Sequence, residues 1–376
     1  MADDQIGDPV QDISACLTGG GSFIDQVETP NRYPYIDVLR GLAILLVLCH
    51  HVIFLPGYRH DPTSLQYITY LVGWAGVDLF FVISGFLIGR IIFRELRDTG
   101  NFRVGRFWVR RALRILPVYY AVLIPVLLLA DSAHVDGWTW ISHPLFLQNY
   151  TGFLPAASGF MFIHSWSLSI EEHFYFVYPL VAFALWKVGR LKLYPVLALA
   201  LLPICLGLRL AFASGNSDLD IMTLVYQTHF RADSLAAGTL IAYAFIFDPV
   251  RLDCIVKKKW TLILICFVAF LPLFSIPIHG GPAMKTWGLT LNLLGCSALL
   301  LLALRGDPAA RRRFLRPIAY TGTLTSTIYL VHPIVVSPAV LTSIPELEVT
   351  LREWGLSITH SSLPLVGFAH ILVYLA

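Results

Sequence analysis

The stretch "YIDVLRGLAILLVLCHH", residues 35–51, has the apolar run of a membrane-crossing helix but carries ionisable side chains at both ends. Asp37 and Arg40 occupy its first turns, and His50 and His51 stand inside a run drawn at about 36–55. Hydrocarbon penalises such groups, so an ionisable residue inside a span marks a functional path by default. A helix over this stretch separates the four. Arg40 and His51 are eleven residues apart, about three turns and ~16 Å along the axis, with an angular offset of only ~20°. Asp37 shares that stripe and is within reach of Arg40, whereas His50 points roughly 80° away from Arg40.

The rest of the chain fits that reading. Of 376 residues, 56% are hydrophobic and only 14% charged, with mean hydropathy +0.69, against about 25% charged in soluble domains. A bilayer core takes ~20 apolar residues per helix, and ten segments qualify, at roughly 36–55, 72–92, 113–131, 163–186, 193–213, 226–247, 260–277, 286–304, 317–338 and 357–376. The expected fold is therefore an all-α integral membrane bundle of about ten helices. The runs are continuous and Leu-rich, without the ~10-residue alternation of a membrane barrel. Residues 1–31 are polar, with the Gly-rich "LTGGGS", and read as a loose tail and not as a cleaved signal peptide; residues 32–376 form the membrane domain. Six scattered cysteines show no CxxC or Cys/His cluster, so neither a disulfide framework nor a zinc site is indicated. Neither a metal nor a nucleic-acid partner is expected.

Charge sets the orientation. The segments "RIIFRELRDTGNFRVGRFWVRRALR", "KVGRLK", "VRLDCIVKKK" and "RGDPAARRRFLR" read as the loops after the second, fourth, sixth and eighth spans. With Arg32 they hold all of the 27 Lys and Arg except Arg59, Lys285 and Arg352 in opposite loops and Arg40, Arg209 and Arg231 within spans. Positive charge marks the cytoplasmic side, which makes both termini cytoplasmic. No internal repeat of the kind common in transporters stands out.

Three constellations carry chemistry. In the first, a neutral His51 imidazole in a low-dielectric site can accept a hydroxyl proton as a general base, and Arg40 suits an anionic ligand or transition-state charge; the structural alternative is a snorkelling Arg and a hydrogen-bonded His. In the second, "HSWSLSIEEHFYFVYPL" (164–180), His164 and Glu171 are seven residues apart and share a helical face continued by Tyr175 and Tyr178. An interfacial belt explains its aromatics but not the adjacent Glu171 and Glu172, which must be paired or protonated. In the third, "RFWVRRALRILP", Arg106, Arg110, Arg111 and Arg114 recur at helical spacing. A positive-inside anchor would look the same, yet eight arginines without a lysine across residues 90–114 suit bidentate phosphate recognition, hence a phosphate-bearing cytosolic ligand.

Smaller pointers are Asp78 in "GWAGVDLFFVISGFLIG", Arg231 and Asp233 in "HFRADSLAAG", which could pair with each other, and His332 in "YLVHPIV". Asp78, His164, Glu172, Arg231 and His332 are candidates for substrate binding. Ser84 fits no GxSxG elbow.

Together, "YIDVLRGLAILLVLCHH", "GVDLFFVISGFLIG", "RFWVRRALRILPVYY", "HSWSLSIEEHFYFVYPL", "FRADSLAAGTLIA" and "STIYLVHPIV", running in that order from about residue 33 to 337, resemble the acyltransferase 3 family of membrane O-acyltransferases. The resemblance implies a ten-helix bundle in a bacterial inner membrane that moves an acyl group, by family default acetyl, from acyl-CoA to a hydroxyl of a carbohydrate or glycoconjugate. It implies catalytic roles for Arg40 and His51, which match the family's Arg-ten-residues-His pair, and for Glu171, the first Glu of its "WSLSxEE" motif. It also implies CoA-phosphate binding by Arg110, Arg111 and Arg114 of the cluster that begins at Arg106.

The chain departs from some members in showing no C-terminal SGNH hydrolase domain, so transfer is expected within the bundle or with a separate partner, and it stops at "ILVYLA" without a polar tail. The residues themselves leave two choices open: His51 as general base or as transient acyl carrier, and an enzyme or a transporter of a lipid-linked sugar or organic anion that uses the same buried charges. The acceptor, the acyl chain length and the oligomeric state are not encoded in these motifs.

Overall fold

A computed structural model describes residues 34–51, 65–129, 137–151, 162–216, 223–276, 278, 281–305 and 315–335, and every regular element among them is helical. The main helices are α1 (Pro34–His51), α2 (Leu65–Gly73), α3 (Ala75–Thr99), α4 (Val104–Leu129), α5 (Trp166–Lys187), α6 (Tyr194–Gly215), α7 (Thr228–Phe247), α8 (Pro249–Lys257), α9 (Lys259–Phe270), α10 (Leu289–Leu304), α11 (Arg316–Thr323) and α12 (Thr325–Val335).

Six helical segments are long and apolar enough to cross a membrane: Pro34–His51, Tyr67–Thr99, Val104–Leu128, Leu191–Gly215, Thr223–Phe247 and Met284–Leu304. The expected count of ten is thus reached only in part. α5 is 22 residues long but carries Glu171 and Glu172, and is not among the six. Lys259–Phe274 is apolar but short. The expected span at 317–338 is two helices parted at Leu324, and the one at 357–376 lies outside the described residues. The basic segment 90–114 is also not a loop. α3 runs on to Thr99 and α4 begins at Val104, with Gly100 in the left-handed region (φ 67°) and its N–H donating to Leu96 O at 2.9 Å. A left-handed glycine ends a helix without a Cβ penalty, so the arginines extend two helices beyond their apolar parts.

α3 and α7 form the centre. In their apolar windows 72% of residues are buried, against 17% for the window containing α6, whose flanks are left to lipid. The central crossing is close because Gly85 and Gly238 face each other's backbone: a Cβ on Gly85 would run into Leu235 O, and one on Gly238 into Val82 O. Small residues allow such approach where no hydrophobic drive separates helices from lipid. Gly238→Val is expected to destabilise the bundle by about 1–3 kcal/mol or more through overpacking, read as a fall in thermal unfolding midpoint in detergent. Gly105→Ala, where a Cβ meets nothing within 4 Å, should leave the midpoint unchanged or raise it slightly; equal effects would show that the crossing is not limiting.

α1 packs on α3 and α11, α5 on α3 and α7, and α9 on α10. Around Phe93, the rings of Tyr178, Tyr194, Tyr243 and Phe247 lie edge-on at 5.0–6.2 Å between centroids, which binds α3, α5, α6 and α7 at the arginine-rich end. At the other end, the short segment around Gly137–Ser142 is inside out. Ser142, His143, Gln148 and Asn149 are buried while Trp138, Trp140, Ile141 and Leu145 are exposed, a polarity suited to lipid outside and hydrogen bonds inside. Gln148 Nε2 donates to Tyr119 Oη (3.3 Å), Ser165 Oγ (3.0 Å) and Ser165 O (3.1 Å), fixing the entry to α5.

Candidate active site

A cavity of about 300 Å³ opens among α1, α3, α4, α5, α11 and α12. Its wall brings together Arg40 of α1, Arg111 and Arg114 of α4, Glu171 of α5 and Ser84 of α3. Three guanidiniums against one carboxylate make it a cationic chamber, and low-dielectric walls strengthen any charge interaction inside it. Ser84 Oγ donates to Glu171 Oε1 at 2.7 Å, holding the carboxylate toward the chamber. The Arg111 guanidinium lies over the Tyr175 ring, 4.1 Å from its centroid, so its plane is set by stacking and cation–π attraction. Glu172, one residue on, keeps Oε1 buried and without a hydrogen bond.

The four arginines of the α4 motif therefore divide. At 100° per residue Arg106, Arg110 and Arg114 form a stripe; all three are exposed and only Arg114 reaches the cavity wall, while half-buried Arg111 enters from the neighbouring face.

His51 does not line this chamber. The chamber is bounded by Tyr329 and Ser167, whose hydroxyls are hydrogen-bonded to each other, and Tyr329 Oη also donates to His164 O at 2.8 Å. Next to this bridge is a histidine cluster. The His51 and His332 rings meet edge-on with centroids 4.7 Å apart, and His332 meets His164 at 5.1 Å. Among the described residues no group of three or more His, Cys, Asp or Glu is arranged to hold a metal ion. His50 turns away, its ring stacked on Tyr70 at 5.1 Å and its Nδ1 donating to Tyr70 O at 2.8 Å, a packing contact with α2.

Three expectations need correction. His164 sits in a 3-10 turn, Ile163–Ser165, before α5 begins, so α-helical projection does not put it on one stripe with Glu171. Glu171 faces the arginines and His164 the other histidines. Arg231 pairs not with Asp233 but with Asp78 across the α3–α7 interface, while Asp233 pairs with Arg209 of α6 at 2.8 Å. Asn292 of α10 donates to the second oxygen of Asp78, and Arg209 also donates to Phe230 O (2.6 Å) and Thr290 Oγ1 (2.7 Å). Asp78 and Arg231 are thus spent on a buried four-helix network and do not line the cavity. Finally, the cavity is lined by Ser84, which the sequence set aside only as a nucleophile elbow, and by Ser167 and Tyr329, which it did not single out. The spacing Tyr329-x-x-His332, one helical turn, was the available signal for the last.

Fold and site define a multi-pass membrane protein with a cationic internal chamber backed by histidines. The chain belongs to the acyltransferase 3 family, whose acyltransferase domain it matches over residues 33–366. It is 27% identical over 346 residues to the peptidoglycan O-acetyltransferase OatA of Listeria monocytogenes, covering 84% of this chain and 51% of that protein. It is 26% identical over 342 residues to the O-acetyltransferase OatA of Staphylococcus aureus, covering 83% and 52%. Putative O-acetyltransferases of Staphylococcus aureus are 30% identical over 241 residues, 59% of this chain and 36% of theirs. The chain thus spans about half the length of the two OatA proteins and about a third of the others. No solved structure matches it.

Proposed function

We propose that this chain is the membrane O-acetyltransferase unit that takes an acetyl group from acetyl-CoA at its arginine-rich, cytoplasmic side and delivers it to a carbohydrate hydroxyl, with a peptidoglycan-type glycan as the acceptor class. The observation that carries the reading is the joining, in a member of this family, of a chamber with Arg40, Arg111, Arg114 and Glu171 to a histidine cluster through the Tyr329–Ser167 bridge. About 300 Å³ is at the lower end of small-molecule pockets; it suits a narrow part of the donor whose thioester extends on toward His51, with the phosphates left to the arginines at the mouth. The basic segments supply the orientation in a bacterial inner membrane.

In the reaction the acceptor oxygen attacks the thioester carbonyl and the carbon–sulfur bond breaks. His51 takes the hydroxyl proton through Nε2. Its Nδ1 is 2.8 Å from Val47 O, and a carbonyl can only accept, so the contact fixes the tautomer in which Nε2 carries the lone pair. Arg40, about three turns from His51 along α1, holds anionic groups of the donor in the chamber while the thioester extends toward His51, and Glu171, tied to Ser84, sets the arginines against them. His51 as a transient acetyl carrier uses the same nitrogen and would leave an acid-labile acetyl-imidazole.

Arg111→Ala with Arg114→Ala is expected to raise KM for acetyl-CoA roughly tenfold to a hundredfold, as removal of one or two charge-assisted phosphate contacts does, with kcat nearly kept. The assay is transfer of radiolabelled acetyl from acetyl-CoA to glycan in proteoliposomes, set beside vesicle flux of a lipid-linked sugar. Flux without label transfer would replace this reading with transport.

A further inference from the structure

The histidine cluster holds two side chains that the reaction above does not use, and His332 is the one that meets His51. His332 is 2% exposed, whereas His51 is only half-buried. His51 is therefore the member an acceptor reaches, and His332 stands behind it. His332 Nδ1 lies 2.7 Å from Tyr329 O, its own helix's carbonyl, so this ring too has its proton on Nδ1 and its lone pair on Nε2. That Nε2 is buried and makes no hydrogen bond. An unpartnered acceptor in a dry interior costs free energy, and native structures carry few, often at catalytic sites.

We propose that His332 is the positioning partner of His51, receiving at Nε2 the proton that His51 takes from the acceptor hydroxyl. The inference rests on the reading of His51 as the base. The acceptor O–H bond breaks and its proton goes to His51 Nε2. The new imidazolium N–H is shared with the His332 Nε2 lone pair, spreading one positive charge over two rings. When the carbon–sulfur bond breaks, the proton returns through His51 to the thiolate sulfur, so the pair is restored and no oxidant or reductant enters. The need is physical: an imidazolium formed in hydrocarbon wants a partner, and the His332 ring meets that of His51 edge-on. Among the described residues, the groups that face His332 are His51 from α1, His164 from the turn before α5, and Tyr329 on its own helix, with its ring centroid at 5.5 Å, and none of these is a carboxylate.

The test is kinetic. His332→Gln keeps the shape and the hydrogen-bonding capacity but cannot take a proton. It should lower kcat roughly tenfold to a hundredfold, part of what proton-transfer catalysis supplies, with KM for acetyl-CoA unchanged. His332→Ala should regain activity with added imidazole, more at higher pH where imidazole is neutral. Thermal unfolding in detergent checks that both variants fold. Folded His332→Gln with wild-type kcat and pH profile would overturn the pairing. If His51→Ala is inactive in those same experiments, the base assignment stands without it; if His51→Ala is active, the base assignment itself is lost.

Discussion

His51→Ala is expected to abolish acetyl transfer while the bundle still folds. A positioned general base contributes roughly 10²–10⁴-fold, about 3–5 kcal/mol of barrier at 1.36 kcal/mol per decade. The structural cost should be small, because the ring is half-buried, lies at the last residue of α1, and bonds through Nδ1 to Val47 of the same helix. His51→Gln should be as inactive as the alanine variant, since an amide fills the space but takes no proton. Wild-type activity should fall as pH is lowered and the imidazole is protonated, and the residual activity of either variant should be flat across that range. The measurements are turnover of purified protein in proteoliposomes and its thermal unfolding. Wild-type turnover in a folded His51→Ala protein would remove both the base and the carrier role. An acetyl group found on His51 by mass spectrometry at neutral pH, without acid quench, would select the carrier.

The second large effect is on stability. Asp78→Ala removes the carboxylate that faces Arg231 and accepts from Asn292. Arg231 is 1% exposed and would remain as an uncompensated buried charge, which typically costs 3–5 kcal/mol, a large share of the roughly 5–15 kcal/mol that holds most domains folded. Low folded yield or a strongly depressed unfolding midpoint is expected. Asp78→Ala combined with Arg231→Met should recover most of the loss, because the pair is coupled and an apolar replacement avoids the stranded charge. Asp98→Ala is the control: its partners Arg94 and Arg97 are about one-third exposed, and such pairs contribute about 0–1 kcal/mol. If Asp78→Ala were as stable as Asp98→Ala but failed to bind acceptor, the substrate-binding reading of Asp78 and Arg231 would return in place of the structural one.

Which parts of the site were readable from the chain follows from the range of each interaction. Arg40 and His51 share a face of one continuous helix, so their spacing sufficed to relate them. Arg111 and Arg114 could be seen as a basic face, but that Arg106 and Arg110 stay outside the chamber depends on where α1 and α5 pack against α4. Helical projection failed at His164 because the chain is a 3-10 turn there, where 100° per residue does not apply. The ion pairs misled for a similar reason: Arg231 and Asp233 are two residues apart, on opposite sides of a helix, so each finds its partner on another one. The basic stretch 90–114 looked like a loop because hydropathy reports what can lie in lipid, and a helix may continue past that depth.

The sequence by itself determined the solvent of this protein, its all-helical class, its family motifs and the common face of Arg40 and His51 on α1, because composition and 3.6-residue periodicity are local properties. Only the tertiary structure decided that Ser84 orients Glu171, that Tyr329, bonded to Ser167 on the chamber wall, meets His164 and His332, and that His332 lies against His51 with a buried, unpaired nitrogen. Those are contacts between residues 84 and 171, 167 and 329, and 51 and 332. They exist because glycine-lined crossings such as Gly85–Gly238 let distant helices approach at backbone distance, and no local pattern states which helices will meet.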